Sequence, residues 1–280
     1  MLLKTVTTLT VESIGKYRSS CIARGQSHNT AKAYSTDLRM LLTFHETKEI
    51  SMEDFESMAQ EWLNQTRVEA SPKTTGRRLT SLRAFARWAK WETELNEYKA
   101  PTAAKTIPHP IPERLDGLNR MVAVCSNNEQ RALVGGQGFI GLRVAEALAM
   151  HVSWFDPFEM TLRVRGKGDK ERIVPVSPQA WELIGPAFVD AMLDQSRGGS
   201  GKLIHYQDRS ARKCITSLGR KAQLRRTISS HDLRATYATI MSENGVPIRV
   251  IQELLGHSSV GSTEIYTGVQ MKALHEAVEF

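Results

Sequence analysis

A mainly α fold in two domains, with one small β-hairpin, is what this sequence predicts. Three observations carry that expectation. Capped amphipathic helices fill the block before residue 100, a stretch with four prolines interrupts the chain at residues 100–112, and two short β-like runs flank a glycine-bracketed turn in an otherwise helical second half.

Residues 9–24 place Leu9, Ile14, Tyr17 and Ile22 on or near one helical face. Asn29-Thr30 reads as a second helix start, followed by Ala33, Tyr34, Leu38, Leu41, Leu42 and His45 at helical spacing. Ser51 is suited to cap a third helix through Phe55, Met58, Ala59, Trp62 and Leu63. Ser71-Pro72 sets a cap and a first-turn proline for a fourth, running through Leu79, Leu82, Phe85, Ala86 and Trp88 to about Asn96. Residues 1–99 are therefore expected to be one all-α domain. Prolines at this density stop helices and weaken strand pairing, so residues 100–112 read as an extended linker.

Residues 113–280 mix helix and strand. A helix with Leu115, Leu118, Met121 and Val122 comes first, then an apolar stretch at residues 132–140. Thr161–Val164 and Arg172–Val176 flank the turn Gly166–Lys170 and signal a hairpin. Further helices are expected at 178–195, 208–224, 231–244 and 247–255. Met271, Leu274 and Val278 suggest a tail helix, docked on a neighbouring protomer or on its own domain.

The 280 residues carry 41% hydrophobic and 24% charged side chains, as an ordinary globular protein does. No apolar run approaches the roughly 18 residues of a membrane helix, so no membrane partner is expected. The first residues are too short and polar for a signal peptide. Cys21, Cys125 and Cys214 are odd in number and widely spaced, which suggests reduced thiols in a cytoplasmic, bacterial or nucleoid setting. The net charge is +7, and it is clustered. Residues 71–90 hold Lys73, Arg77, Arg78, Arg83, Arg87 and Lys90 without an acid, and residues 202–226 hold eight bases against Asp208. Two such stretches point to double-stranded nucleic acid gripped from two sides.

The last sixth of the chain carries chemistry. His231 and Arg234 are three apart, Leu254-Leu255-Gly256 precedes His257, and Tyr266 follows His257 by nine residues. Upstream stand Gly141-Leu142-Arg143-Val144-Ala145-Glu146 and the turn Arg165-Gly166-Lys167-Gly168. Together these motifs resemble the tyrosine recombinase, or phage integrase, family, with alanine at 145 where a serine is frequent. The resemblance covers residues 113–270 by motif and the N-terminal block only by its helical pattern. It implies a site-specific recombinase, integrating or excising DNA, that cuts and rejoins through a 3′-phosphotyrosyl bond.

In that reading Tyr266 is the nucleophile; its phenol needs assistance, because its ordinary pKa is near 10. Arg143 and Arg234 clamp the scissile phosphate with forked, permanently charged donors. His231 accepts the tyrosine proton and His257 bonds the phosphate. Lys167 is the general acid for the 5′-oxygen, with Lys170 a rival in the same turn. Glu146 supports Arg143 or His231 and is not a metal ligand; neither metal nor organic cofactor is expected. Lys73, Arg77, Arg78, Arg83 and Arg87 are the candidate DNA contacts of the first domain.

The expected partners are core-site duplexes held in a C-shaped clamp, a homotetramer on synapsed DNA, and an excision factor in an integrase setting. No additional N-terminal domain for arm-type sites is evident. Two alternatives stand beside this reading: a type IB topoisomerase-like nicking-closing enzyme, and a DNA-binding regulator without catalysis. The DNA site, and integrase against Xer-like or transposon use, are not legible here.

Overall fold

The computed structural model describes residues 6–102, 109–166, 171–256, 274 and 276–278. The chain divides into two compact units, Met1–Thr106 and Ile107–Phe280. Among the described residues, no helix is long and apolar enough to cross a membrane.

The first unit contains β1 (Thr8–Thr10), α1 (Val11–Ala23), α2 (His28–Phe44), β2 (Glu49–Ser51), α3 (Met52–Glu69) and α4 (Pro72–Ala89). Each helix starts on a hydroxyl that accepts a backbone N–H three residues on: Thr10 from Ser13, Ser27 from Thr30, Ser51 from Asp54 and Ser71 from Thr74. Tyr17, Leu38, Leu41, Phe55, Leu63, Leu79, Leu82 and Phe85 close the core. The boundaries differ from expectation in three places. Residues 8–10 pair antiparallel with β2, Leu9 opposite Ile50, so α1 begins only after its cap. α2 starts one turn-step earlier, on Ser27, because that hydroxyl bonds the Thr30 amide. α4 stops at Ala89: Lys90 takes a left-handed φ of 60°, and Trp91 turns inward to donate from Nε1 to the Val6 carbonyl at 2.6 Å. Burying that indole outweighs extending the helix over polar residues.

The second unit contains α5 (Arg114–Ala123), α6 (Asn128–Gly138), α7 (Val144–Leu148), β3 (Phe155–Asp156), β4 (Thr161–Arg165), β5 (Glu171–Pro175), α8 (Pro178–Ser196), α9 (Asp208–Lys221), α10 (Ser230–Glu243) and α11 (Ile248–Leu255). The apolar stretch becomes α6, buried without interruption from Ala132 to Gly138 and packed on α8. Gly135 permits that approach, since a Cβ there would stand 3.0 Å from the Leu183 side chain, and Gly138 does the same for α5, where a Cβ would stand 2.7 Å from Leu118. β4 and β5 form the expected antiparallel hairpin, with Val164 opposite Arg172, and β3 adds a third strand beyond β4. Ile111 is fully buried in this unit, and its N–H donates to Thr236 Oγ1 on α10 at 2.8 Å. Leu274 and Val278 also lie in this core, so that part of the tail packs on its own unit.

Candidate active site

The site begins where the chain leaves α6. Gly141 adopts a φ of +77°, and a Cβ there would meet the Tyr237 ring at 2.5 Å. Only glycine satisfies both the backbone and the space. The turn delivers Arg143 to the N-cap of α7 with extended backbone. Glu146, three residues on, accepts from the Arg143 N–H at 2.8 Å and from its Nη1 at 2.7 Å.

Glu146 is buried and shared. Arg172 of β5 grips both its oxygens at 3.0 Å each, and Nη1 of Arg234, from α10, lies 3.8 Å from Oε2. Burial opposes the charge on Glu146, but Arg172 and then Arg143 hold its pKa at about 2. It is therefore ionised at neutral pH, and the cluster combines three guanidinium groups with one carboxylate. Burial, and next the charge of Arg143, lower Arg234 to about 9, so it too stays charged at pH 7. Excess cationic charge in a partly desolvated cluster favours an anion beside it. The Arg143 side chain is 44% exposed and forms the accessible side of the cluster.

The same three arginines hold the end of α11. Arg172 Nε donates to Leu254 O at 3.0 Å, Arg234 Nη2 to Leu255 O at 2.6 Å, and Arg143 Nη2 to Gly256 O at 3.0 Å. Three consecutive carbonyls at a helix C-terminus thus each meet one cation, as the helix dipole favours. The chain leaves this cap through Gly256, φ +63°, directly before His257.

Arg143 and Glu146, neighbours on one turn, are brought together with Arg234, which is remote in sequence. His231 stands exposed in the first turn of α10, whose start is fixed by Asp232 accepting from the N–H and Oγ of Ser229 at 2.7 Å each. Lys167, Lys170, His257 and Tyr266 lie outside the described residues. Tyr237, on α10, is buried, and burial pushes its phenol well above the ordinary range. Arg172 is the member the motifs did not supply. Its signal was the strand period: Arg172 alternates with Val174 and Val176, so it faces the core and requires a buried carboxylate.

Of the basic residues on α4, Lys73, Arg77 and Arg87 are exposed. Arg77 pairs with the fully buried Asp37, which also accepts from Ser81 Oγ at 2.6 Å. Arg78 donates to Thr66 Oγ1 at 2.7 Å and lies 4.8 Å from the Trp62 ring centroid. Arg83 donates to the carbonyls of Leu95, Asn96 and Tyr98. In the second unit, α9 turns Ala211, Ile215 and Leu218 inward and leaves Arg209, Arg212, Lys213 and Arg220 exposed.

The profile of the phage integrase family matches residues 114–273, more than half the chain. The chain belongs to that family and is a tyrosine recombinase. The N-terminal SAM-like domain of phage integrases matches residues 17–93. This recombinase is 31% identical to tyrosine recombinase XerC of Mycobacterium leprae, over 89% of this chain and 91% of the relative. It is equally 31% identical to XerC of Listeria monocytogenes, over 90% of each. Among solved structures its fold is like that of XerH site-specific recombinase bound to difH substrate before cleavage, with a TM-score of 0.65 and 22% identity, covering 89% of this chain and 79% of that one. A lambda integrase tetramer bound to a Holliday junction gives a TM-score of 0.65 at 16% identity, covering 94% and 82%. The recombinase is thus a DNA strand-transferring enzyme of site-specific recombination.

Proposed function

We propose that this recombinase cuts DNA with Tyr266, forming a 3′-phosphotyrosyl bond and a free 5′-hydroxyl, and reseals it by attack of a second 5′-hydroxyl. The observation that carries the reading is the cationic cluster of Arg143 and Arg234 around Glu146, held against the carbonyls that precede His257. Two forked cations suit the non-bridging oxygens of one phosphodiester, and fixed donors stabilise the charge that grows in its pentacoordinate transition state. His257 adds a donor to the phosphate, exposed His231 takes the tyrosine proton, and Lys167 protonates the departing oxygen. Identity to XerC relatives along about 90% of both chains supports two-domain recombination of the Xer-like kind, in the cytoplasm or nucleoid. The lambda integrase tetramer on a Holliday junction supports assembly as a homotetramer on paired core sites; an excision factor would bias direction.

The test is covalent capture. Incubated with nicked fragments of host DNA in excess EDTA, the protein is expected to form adducts that resist detergent and converge on one sequence. Arginines supply the cationic charge, so chelation leaves the yield unchanged. Adducts that appear only with Mg²⁺, although binding persists in EDTA, would overturn the arginine-clamp reading.

Lys167→Ala is expected to slow cleavage of that site by about 10²–10⁴-fold. A duplex with a bridging 5′-phosphorothiolate should restore most of the rate, because a thiolate departs unprotonated. Equal loss on both duplexes would assign Lys167 to binding and turn attention to Lys170.

On α4 we assign phosphate contact to exposed Lys73 and Arg87, with Arg77, Arg78 and Arg83 committed first to internal partners. Neutralising Lys73 and Arg87 should flatten the slope of log K against log salt by about 0.9 per lost contact. Arg77→Ala leaves the buried Asp37 carboxylate with the Ser81 hydroxyl still donating to it and should cost about 1–3 kcal/mol of stability. A slope that changes only in a folded Arg77, Arg78 and Arg83 variant would reverse the assignment.

A further inference from the structure

Arg172 has no role in the chemistry assigned so far, yet its side chain makes three hydrogen bonds in the cluster, against two each from the side chains of Arg143 and Arg234. It sits opposite Val164 in the hairpin, buried, with each of its three nitrogens engaged. Nη1 and Nη2 grip the two oxygens of Glu146 at 3.0 Å each, and Nε caps Leu254 O at 3.0 Å. Gly256 lies against the guanidinium: a Cβ there would stand 2.8 Å from Nη1 and 3.0 Å from Cζ.

The acceptor count of Glu146 explains what this achieves. A carboxylate offers about four lone-pair sites. Arg143 fills two, through its N–H and Nη1, and Arg172 fills two. Arg234 is left 3.8 Å away, beyond hydrogen-bond distance, and turns its fork to the carbonyls of Gly141 and Leu255. Neutral carbonyls release a guanidinium to an anion more readily than a buried carboxylate does. Without Arg172, two sites on a buried charge would be empty, with Arg234 and the rest of Arg143 the nearest donors.

We infer that Arg172 is a positioning residue that saturates Glu146, so that Arg143 and Arg234 keep their donors for the scissile phosphate. The inference rests on the reading of those two arginines as the phosphate clamp.

The test is a rescue. Single-turnover cleavage of the captured site, as a nicked duplex, is compared for wild type, Arg172→Met, Glu146→Gln and the double variant. Arg172→Met should cleave about 100-fold more slowly, with the Kd for intact duplex within about threefold of wild type. Removing the charge that captures the clamp should return part of the rate, so the double variant should be about tenfold faster than Arg172→Met alone. Glu146→Gln also relieves the charge that Arg172→Met leaves buried, so all four proteins are compared at a temperature where circular dichroism shows each fully folded; a residue that merely supports the fold then shows no rate deficit in Arg172→Met. The inference is overturned by a folded double variant no faster than Arg172→Met, or by Arg172→Met cleaving within about threefold of wild type. If Arg172→Met does not fold, Arg172→Lys with and without Glu146→Gln reads the same order, because one ammonium cannot fill both oxygens. Arg143→Ala and Arg234→Ala run alongside. Cleavage by these two at the wild-type rate would refute the clamp itself, whereas their loss with an unaffected Arg172 series refutes only the positioning role.

Discussion

Tyr266→Phe is expected to abolish the covalent protein–DNA adduct and to leave duplex binding intact. The substitution removes one oxygen and retains the ring, so the proposed nucleophile is lost with little change in side-chain shape. In the proposed reading Arg143 and Arg234 hold the phosphate independently of the phenol, which is why affinity should stay within about twofold. Detergent-resistant adduct on the captured nicked site is the first measurement, and a gel shift on the intact site is the second. A phenylalanine variant that still forms adduct would place the nucleophile elsewhere. Tyr237 is a poor substitute for that role: it is buried against Gly141, and burial raises its phenol away from the anion. Loss of adduct together with loss of binding would instead make Tyr266 part of the DNA contact.

Much of this architecture could be read from local chemistry. Ser51 and Ser71 cap the helices they were expected to cap, because a hydroxyl before a periodic run has one favourable partner, the amide three residues on. The hairpin around Gly166–Lys170 followed from two β-branched runs and two glycines. Arg143, Glu146 and Arg234 were identified through motif spacing, and the fold brings them to one pocket. What was not legible depends on partners remote in sequence. The end of α4 is set by Trp91 reaching the carbonyl of Val6, a contact no local pattern announces. The arginines of α4 look alike as a string of charges, yet Asp37, Thr66 and three carbonyls give Arg77, Arg78 and Arg83 partners within the unit. Arg172 was visible in principle, through its strand alternation with Val174, but a lone inward arginine names no partner until the carboxylate is located.

Arg234→Met is expected to remove cleavage and to leave the fold nearly as stable as before. The two effects arise from one geometry. Arg234 is a buried cation beside two others, and burial, then Arg143, lowers its pKa to about 9. A base with a lowered folded pKa binds its proton less tightly than the unfolded chain does. Stability therefore rises with pH between about 9 and the ordinary arginine value, and the cost of holding the charge is fully present at pH 7. Methionine relieves that cost with similar volume. Against the relief stand the carbonyls of Gly141 and Leu255, which lose their donor, at roughly 1–3 kcal/mol for each group left unpaired. These opposing terms are of similar size, so the melting temperature should move by no more than about 4 °C. Cleavage has no such compensation. A preorganised donor at a developing phosphorane charge is worth about 3 kcal/mol, which predicts a loss of roughly 10²–10³-fold in single-turnover rate. Calorimetry and the nicked-site assay on the same preparation separate the terms. A melt lowered by more than about 10 °C in step with the lost rate would make Arg234 chiefly a support for α11. An unchanged melt with lost cleavage would show a cation kept in the core, at a cost to stability, for the charge of the transition state.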